Sequence, residues 1–198
     1  MTTIAILIPA AGASSRMGGP DKLMQQAGDA PLLARVARRA VATGLPVTIT
    51  VPSLSHPRAD LARAEGAALV AVDDWASGMA ASIRAGIAAI PMQASAVMIL
   101  PADMPDLQTG DLHTLIRAAQ AAPDAIVRAT SHDGIPGHPV IFPADLFEEL
   151  RSVSGDQGAR SVVAAHKDRL CLLPLPGTRA LVDLDTPQDW AEWTATQE

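Results

Sequence analysis

The segment from Pro9 to Lys22, PAAGASSRMGGPDK, contains residue types that suit an anionic ligand. Its first residues have little or no side chain, so their backbone N–H groups can approach phosphate oxygens closely. Two hydroxyls, a guanidinium and an ammonium group then add stronger donors. These candidate phosphate contacts are Ala10, Ala11, Gly12, Ala13, Ser14, Ser15, Arg16 and Lys22.

Two common phosphate-binding loops do not fit this segment. A Walker loop has four residues between its glycines and then Lys-Ser/Thr, whereas five residues separate Gly12 from Gly18, and Gly19 and Pro20 follow. A dinucleotide-binding loop needs a glycine two residues after the first, where this chain has Ser14, and this absence argues against a reductase. A strand-to-helix turn with a solvated Arg and Lys is the non-functional alternative.

Asp103 is the candidate metal ligand. It lies in PADMPDL, directly after an apolar run that we interpret as a strand. Mg²⁺ prefers carboxylate and phosphate oxygens and retains several waters, so one or two carboxylates suffice for it. The alternative is an aspartate that caps the next turn. The four histidines other than His138 show no zinc spacing, and no Ser/His/Asp set is evident.

Composition limits the classes of partner. The chain has 198 residues, a net charge of −6 and only 3% aromatic residues, which argues against binding nucleic acid through phosphate contacts or base stacking. We expect no membrane span, because no apolar stretch of about 20 residues is present. The single cysteine, Cys171, lies in an apolar run and excludes a disulfide framework. With no basic leader before the first apolar run, these features favour the cytoplasm.

Apolar runs and amphipathic segments alternate along the first two thirds of the chain. Each of the first four predicted strands precedes a segment with helical spacing, which indicates a mainly parallel sheet covered on both faces. The fold class is therefore α/β, a Rossmann-like three-layer α/β/α sandwich. The predicted strands are 4–8, 47–51, 67–72, 96–100 and 126–129.

The region after Ala129 is less regular. A Gly/Pro-rich loop precedes a short predicted strand at 140–142, and further strands are predicted at 170–173 and 180–182. Helical stretches are expected at 144–150 and 159–166, and a last helix from Pro187. Without a linker or repeat, residues 1–198 are interpreted as a single domain.

The string AAGASSRMG strongly resembles the signature of the nucleotide-diphosphosugar transferase superfamily. Within it, the chain resembles the MocA-like molybdenum cofactor cytidylyltransferases of the MobA-like NTP transferase family, over nearly its whole length and in the same order. This resemblance implies the nucleotide-diphosphosugar transferase fold, with NTP bound by the N-terminal half and the acceptor by the C-terminal half. It also implies catalytic roles for Arg16, Lys22 and Asp103. Relatives that use guanine nucleotides carry Gly at the position of Ala11, so the resemblance implies CTP.

The resemblance extends to the acidic string VDLDTPQDW. It places a second metal ligand on Asp185 in preference to Asp183. By residue type alone, Asp185-Thr186-Pro187 is an ordinary helix start. Gly78 and Ser82 match family positions that contact the base and ribose, and Ser53 is a weaker candidate of the same kind. The alternative for Ser82 is a small residue in helix packing.

GIPGHP and GDQGAR are the strings most typical of the cytidylyltransferase subfamily outside the loop. The resemblance places an acceptor site, for the phosphate of a pterin, on the residues that these strings contribute. A purely structural role for His138 in its loop is the alternative. The acceptor candidates are Gly137, His138, Pro139, Asp156 and Arg160.

The implied activity is Mg²⁺-dependent transfer of CMP from CTP to a molybdopterin-type cofactor with release of pyrophosphate. A client molybdoenzyme or its maturation chaperone is the protein partner that this activity would involve. Two alternatives remain open. One is a related transferase that uses GTP or a sugar or polyol phosphate, and the other is a non-catalytic, nucleotide-binding chaperone for the molybdenum cofactor.

Overall fold

The structure, a computed structural model, describes residues 3–13, 17, 19, 21–155 and 158–197. Within this part of the chain, no helix is both long and apolar enough to cross a membrane. The strands are β1 (Ile4–Pro9), β2 (Gln26–Ala27), β3 (Ala30–Pro31), β4 (Val47–Val51), β5 (Ala68–Ala71), β6 (Ala96–Ile99), β7 (Ile126–Thr130), β8 (Pro136–Pro143) and β9 (Leu170–Pro174). The α-helices are α1 (Leu32–Val41), α2 (Pro57–Ala64), α3 (Met79–Ala89), α4 (Thr109–Ala121), α5 (Phe147–Arg151), α6 (Arg160–Ala165) and α7 (Pro187–Ala195).

A seven-stranded sheet forms the centre of the fold, in the order β5-β4-β1-β6-β8-β7-β9. β5, β4, β1 and β6 are parallel to one another, and β9 is parallel to β7. β8 runs antiparallel to both of its neighbours, β6 and β7. The predicted mainly parallel sheet is confirmed, with one reversed strand in its middle.

Side chains alternate between the two faces of β1, as a strand buried on both sides requires. Ile4, Ile6 and Ile8 belong to a cluster with residues of α1, α2, α4 and α7, whereas Leu7 packs with residues of α3, α5 and α6. α3 approaches the sheet closely, because a Cβ at Gly86 would lie 2.2 Å from Cδ1 of Leu7. The predicted three-layer arrangement is therefore confirmed.

The predicted strand at 180–182 is wrong. The chain turns there instead: the Leu181 N–H donates to the Thr178 carbonyl at 2.8 Å, after Gly177, whose φ is 57°. Apolar composition alone cannot distinguish a strand from a buried turn in so short a segment. The carbonyl of Ala180 accepts a hydrogen bond from the His138 N–H at 2.9 Å, so this turn supports the start of β8.

Candidate active site

A cavity of about 800 Å³ opens where β1 and β6 end. β8 begins at this same edge, because Val140 pairs with Ile99 and the preceding residues of β8 extend beyond the end of β6. The cavity is therefore lined by both the N-terminal segment and the acceptor candidates. Of the predicted site residues, it is lined by Ala10, Gly12, Lys22, Gly78, Ser82, Asp103, Gly137, His138, Arg160, Asp183 and Asp185.

The N-terminal segment departs from the prediction at two positions. The Ala10 N–H donates to the Thr50 carbonyl at 3.0 Å, so it is engaged with β4 and is not a spare donor for phosphate. Ala11 does not line the cavity; it is fully buried against Val72 and Ala81. Its methyl group therefore packs behind the cavity wall and not on its surface. Gly12 and Ala13 do line the cavity.

Four predicted contacts, Ser14, Ser15, Arg16 and Asp156, lie outside the described residues and stay predictions. Two other predicted contacts, Pro139 and Ser53, do not line the cavity. Pro139 is buried next to His138, so direct contact with an acceptor is not expected. Ser53 follows β4 and is hydrogen bonded to Ser55 at 3.1 Å, away from the cavity lining.

Lys22 bridges the two aspartates that the sequence singled out. Its Nζ lies 2.6 Å from Oδ2 of Asp103 and 2.5 Å from Oδ1 of Asp185. Burial by itself lowers the pKa of Lys22, but the two carboxylates outweigh burial and the pKa is raised above its ordinary value. The ammonium is therefore fully charged at neutral pH.

A backbone contact places the second aspartate. The Leu184 N–H donates to the Asp103 carbonyl at 3.0 Å, which joins the two acidic segments. Asp189, in the first turn of α7, accepts from the Asp185 and Thr186 N–H groups at 3.0 and 2.7 Å. The capping of α7 thus fixes the backbone of Asp185.

The two carboxylates suit a hard divalent cation. Their oxygens converge closely enough to share one ammonium, and within the described ranges no group of three His, Cys, Asp or Glu side chains forms a fuller metal site. Such an open pair fits Mg²⁺, which takes its remaining ligands from substrate phosphates and water. Asp183 lines the same cavity, but among the described contacts its carboxylate does not pair with Lys22 as those of Asp103 and Asp185 do. The geometry therefore favours Asp185 over Asp183 as the partner of Asp103.

Gly78 and Ser82 lie at the start of α3. Gly78 has a φ of 90°, in the left-handed region that favours glycine, and it turns the chain into the helix. Ser82 is 2% exposed and reaches the cavity from the first turns. Trp75 and Met79 flank them in the cavity wall, and the sequence did not single out either. The apolar side chains of Trp75 and Met79, beside the start of α3, provide a surface on which a planar base can pack.

Position 137 must be glycine, because the turn at residues 180–182 lies very close to its backbone. A Cβ at this position would lie 1.9 Å from the Ala180 carbonyl oxygen, which no side chain can do without moving backbone. The glycine therefore lets β8 and the turn meet and presents His138 to the cavity. This is a structural reason for one glycine of the GIPGHP string.

His138 is a neutral imidazole in this environment. Burial and the positive charges of Arg128 and Arg160 lower its pKa to about 4, despite the opposing charge of Asp103. Its Nδ1 is buried and has no hydrogen-bond partner among the residues that the structure describes. An imidazole in this state can give or accept a hydrogen bond but does not carry charge at pH 7.

The lowered pKa of His138 predicts a loss of stability in acid. Between pH 6.5 and about 4 the unfolded chain binds a proton at this histidine and the folded chain does not, so stability falls as pH falls. We expect the unfolding free energy of the wild type to drop by about 2 kcal/mol more between pH 7.5 and pH 5 than that of His138→Gln. Urea denaturation at both pH values checks this. His132→Gln, at an exposed position, should match the wild type; equal pH slopes for the wild type and His138→Gln would contradict the expectation.

Arg58 supports the N-terminal segment from beneath, and no sequence motif indicates this role. This residue of α2 is 2% exposed, and its guanidinium pairs with both carboxylate oxygens of Asp21 at 2.7 and 2.6 Å. The same group donates to the carbonyls of Ala10 and Gly12 at 2.6 and 2.7 Å. The carbonyls are thus turned towards Arg58. Asp21 also caps the turn that starts at Lys22, since it accepts from the Leu23 N–H at 3.0 Å.

The family of MobA-like NTP transferase domains matches residues 6–170 of the chain. Among curated proteins, the 2-C-methyl-D-erythritol 4-phosphate cytidylyltransferase of Salinibacter ruber is 26% identical, over 95% of this chain and 90% of its own. The purine catabolism protein PucB of Bacillus subtilis is 28% identical, over 59% of this chain and 56% of its own.

Among solved structures, the Rv0371c protein of Mycobacterium tuberculosis superposes with a TM-score of 0.80. It is 26% identical and covers 96% of this chain and 97% of its own.

Proposed function

The chain belongs to the MobA-like NTP transferase domain family, and from this premise we propose that it transfers CMP from CTP to the phosphate of a molybdopterin-type cofactor. One observation carries the proposal. A single cavity is lined by the glycine-containing segment, the paired carboxylates Asp103 and Asp185, and the Gly137-His138 segment. A donor nucleotide and a phosphorylated acceptor could therefore meet beside the carboxylate pair. On this account residues 1–198 act as one domain with a nucleotide half and an acceptor half.

The chemistry needs little from the protein beyond position and charge. An oxygen of the acceptor phosphate forms a bond to the α-phosphorus, and the bond from that phosphorus to the bridging oxygen of the β-phosphate breaks. Pyrophosphate leaves with the electron pair. A phosphate monoester is already anionic at pH 7, so no general base is required. This agrees with the absence of a charged histidine in the described cavity wall.

The proposed nucleotide contacts follow the cavity wall. Gly12 would approach the phosphates through its backbone, Gly78 and Ser82 would lie at the base and ribose, and Lys22 would place positive charge next to the phosphates. Ser14 and Arg16 would add further phosphate donors. Mg²⁺ held by Asp103 and Asp185 would supply charge neutralisation for the triphosphate.

CTP is the proposed nucleotide, and the acceptor is the finer part of the proposal. A cytidylyltransferase from Salinibacter ruber that covers 95% of this chain supports CTP. The pterin acceptor is supported by the GIPGHP and GDQGAR strings. The same relative also favours a second candidate, because its name specifies a polyol phosphate acceptor. A 2-C-methyl-D-erythritol 4-phosphate acceptor is therefore the alternative to test.

A pyrophosphate-release assay over two nucleotides and two acceptors tests these choices. CTP and GTP are each combined with purified molybdenum cofactor or with 2-C-methyl-D-erythritol 4-phosphate, in the presence of Mg²⁺. The proposal expects release to be fastest with CTP and molybdenum cofactor. Faster pyrophosphate release with the polyol phosphate would identify that compound as the acceptor in place of molybdenum cofactor. A preference for GTP would overturn the choice of nucleotide. Nucleotide binding without release in any combination would support a non-catalytic role.

A further inference from the structure

Arg128 is a charged residue within the apolar strand β7, and neither the sequence motifs nor the proposed nucleotide contacts use it. Its neighbours Val127 and Ala129 are fully buried on the opposite face. The side chain of Arg128 lines the cavity, and its Nε donates to the Gly137 carbonyl at 3.0 Å. Among the described residues the Nη groups of Arg128 make no hydrogen bond, so these donors remain for a ligand.

A second guanidinium reaches the same region from α6. Arg160 lines the cavity, and burial together with the charge of Arg160 lowers the pKa of Arg128. In the part of the chain that the structure describes, no carboxylate pairs with either guanidinium. Two like charges that face one space without a counter-ion are unfavourable unless a ligand neutralises them.

His138 completes this group. It lines the same cavity as Arg128 and Arg160, and its buried Nδ1 lacks a hydrogen-bond partner among the described residues. The charges of both arginines and of Asp103 act on the pKa of its ring. The group is thus next to the carboxylate pair, on the acceptor side of the cavity. Two guanidinium groups, of which that of Arg128 is held by the Gly137 carbonyl, match the oxygens of a phosphate better than those of a neutral ligand.

We propose that Arg128, Arg160 and His138 form a binding site for the attacking phosphate of the acceptor. The identification of the bound phosphate as that of the acceptor rests on the proposed function. The existence of an anion-binding site does not, because it follows from the arrangement of charges. Arg128 would hold the phosphate through the donors that Gly137 does not use, and His138 would add one neutral hydrogen bond.

Inorganic phosphate is the probe that separates this site from the nucleotide half. The full chain is saturated with α,β-methylene CTP and Mg²⁺, so that the N-terminal segment is occupied, and inorganic phosphate is then titrated by calorimetry. We expect saturable binding that weakens roughly 10- to 100-fold in Arg128→Gln, the loss of one charge-assisted contact. Arg160→Gln, at an exposed position, should weaken it in the same direction.

Arg117→Gln is the matched control, because Arg117 is an exposed arginine of α4 that bonds only to Thr114 in the described chain. It should bind phosphate as the wild type does. The affinity for α,β-methylene CTP should be unchanged in all three variants, which also shows that each variant is folded. Absence of phosphate binding to the wild type would overturn the proposal. So would unchanged binding in Arg128→Gln, or an equal loss in Arg117→Gln.

Turnover separates the site from the proposed function. With molybdenum cofactor as acceptor, Arg128→Gln should raise the acceptor KM at least tenfold and leave the KM for CTP unchanged. If phosphate binding depends on Arg128 but molybdenum cofactor is not a substrate, the anion site stands and the proposed acceptor fails. If the KM for CTP rises together with the acceptor KM, Arg128 acts on the whole cavity and the site assignment is wrong.

Discussion

Asp103→Asn should lower kcat/KM by a factor on the order of 10² to 10³, because it removes one preorganised charge at the reacting phosphates. Asn is nearly isosteric, and Lys22 keeps its second partner, Asp185, at 2.5 Å. The fold should therefore survive. The remaining turnover should lose its dependence on Mg²⁺, since an amide oxygen is a much weaker ligand for Mg²⁺ than a carboxylate. Steady-state kinetics over a Mg²⁺ titration measures both effects.

Two neighbouring aspartates make this experiment specific. Asp185→Asn should behave like Asp103→Asn, because both carboxylates share the same ammonium. Asp183→Asn is the matched control: it lines the same cavity, but among the described contacts its carboxylate makes no bond to Lys22. A loss with Asp183→Asn as large as with Asp103→Asn would dismiss the pair assignment. So would Mg²⁺-stimulated turnover at the wild-type rate in Asp103→Asn.

Arg58→Met should destabilise the protein by roughly 3 to 5 kcal/mol, because it leaves the Asp21 carboxylate without this buried partner. It also removes the donor that holds the Ala10 and Gly12 carbonyls. In the fraction that folds, we expect weaker CTP binding, since the segment is no longer held in shape. Urea denaturation and nucleotide titration measure the two effects separately.

Arg63→Met is the control for Arg58→Met. Arg63 lies on the same helix and pairs with Asp60 at 2.6 Å, but both side chains are more than half exposed. An exposed pair of this kind contributes at most about 1 kcal/mol. Comparable destabilisation by the two substitutions would show that Arg58 is not a buried support, and intact CTP affinity in Arg58→Met would show that the segment does not depend on it.

The sheet was predictable because buried parallel strands are near-continuous apolar runs bounded by turn residues. β1 and β4 were found in this way almost to the residue. The direction of β8 was not predictable, because the pairing of Ile99 with Val140 is a contact between distant parts of the chain. The failure at 180–182 has the same origin. That segment is shaped by its bond to His138, which no local pattern contains.

The candidate site was predictable where a residue type reveals its chemistry. Lys22 and Asp103 stood out by charge and position, and in the structure Nζ of Lys22 lies 2.6 Å from Oδ2 of Asp103. Arg58 stayed hidden because its partners, Asp21 and two backbone carbonyls, lie far away in sequence and leave no spacing rule. Arg128 did carry a signal: it is a charged residue inside an apolar strand, where burial needs a compensating partner.

The central claim is that this cavity transfers a nucleotidyl group at the α-phosphorus, and isotope transfer tests it most directly. The protein is incubated with molybdenum cofactor, Mg²⁺ and CTP labelled with ³²P at either the α- or the γ-phosphate, and the products are separated. The account predicts that α-label appears in the modified acceptor and γ-label in pyrophosphate, in equal amounts. Label from the γ-position in the acceptor, or free CMP without a labelled acceptor, would contradict it.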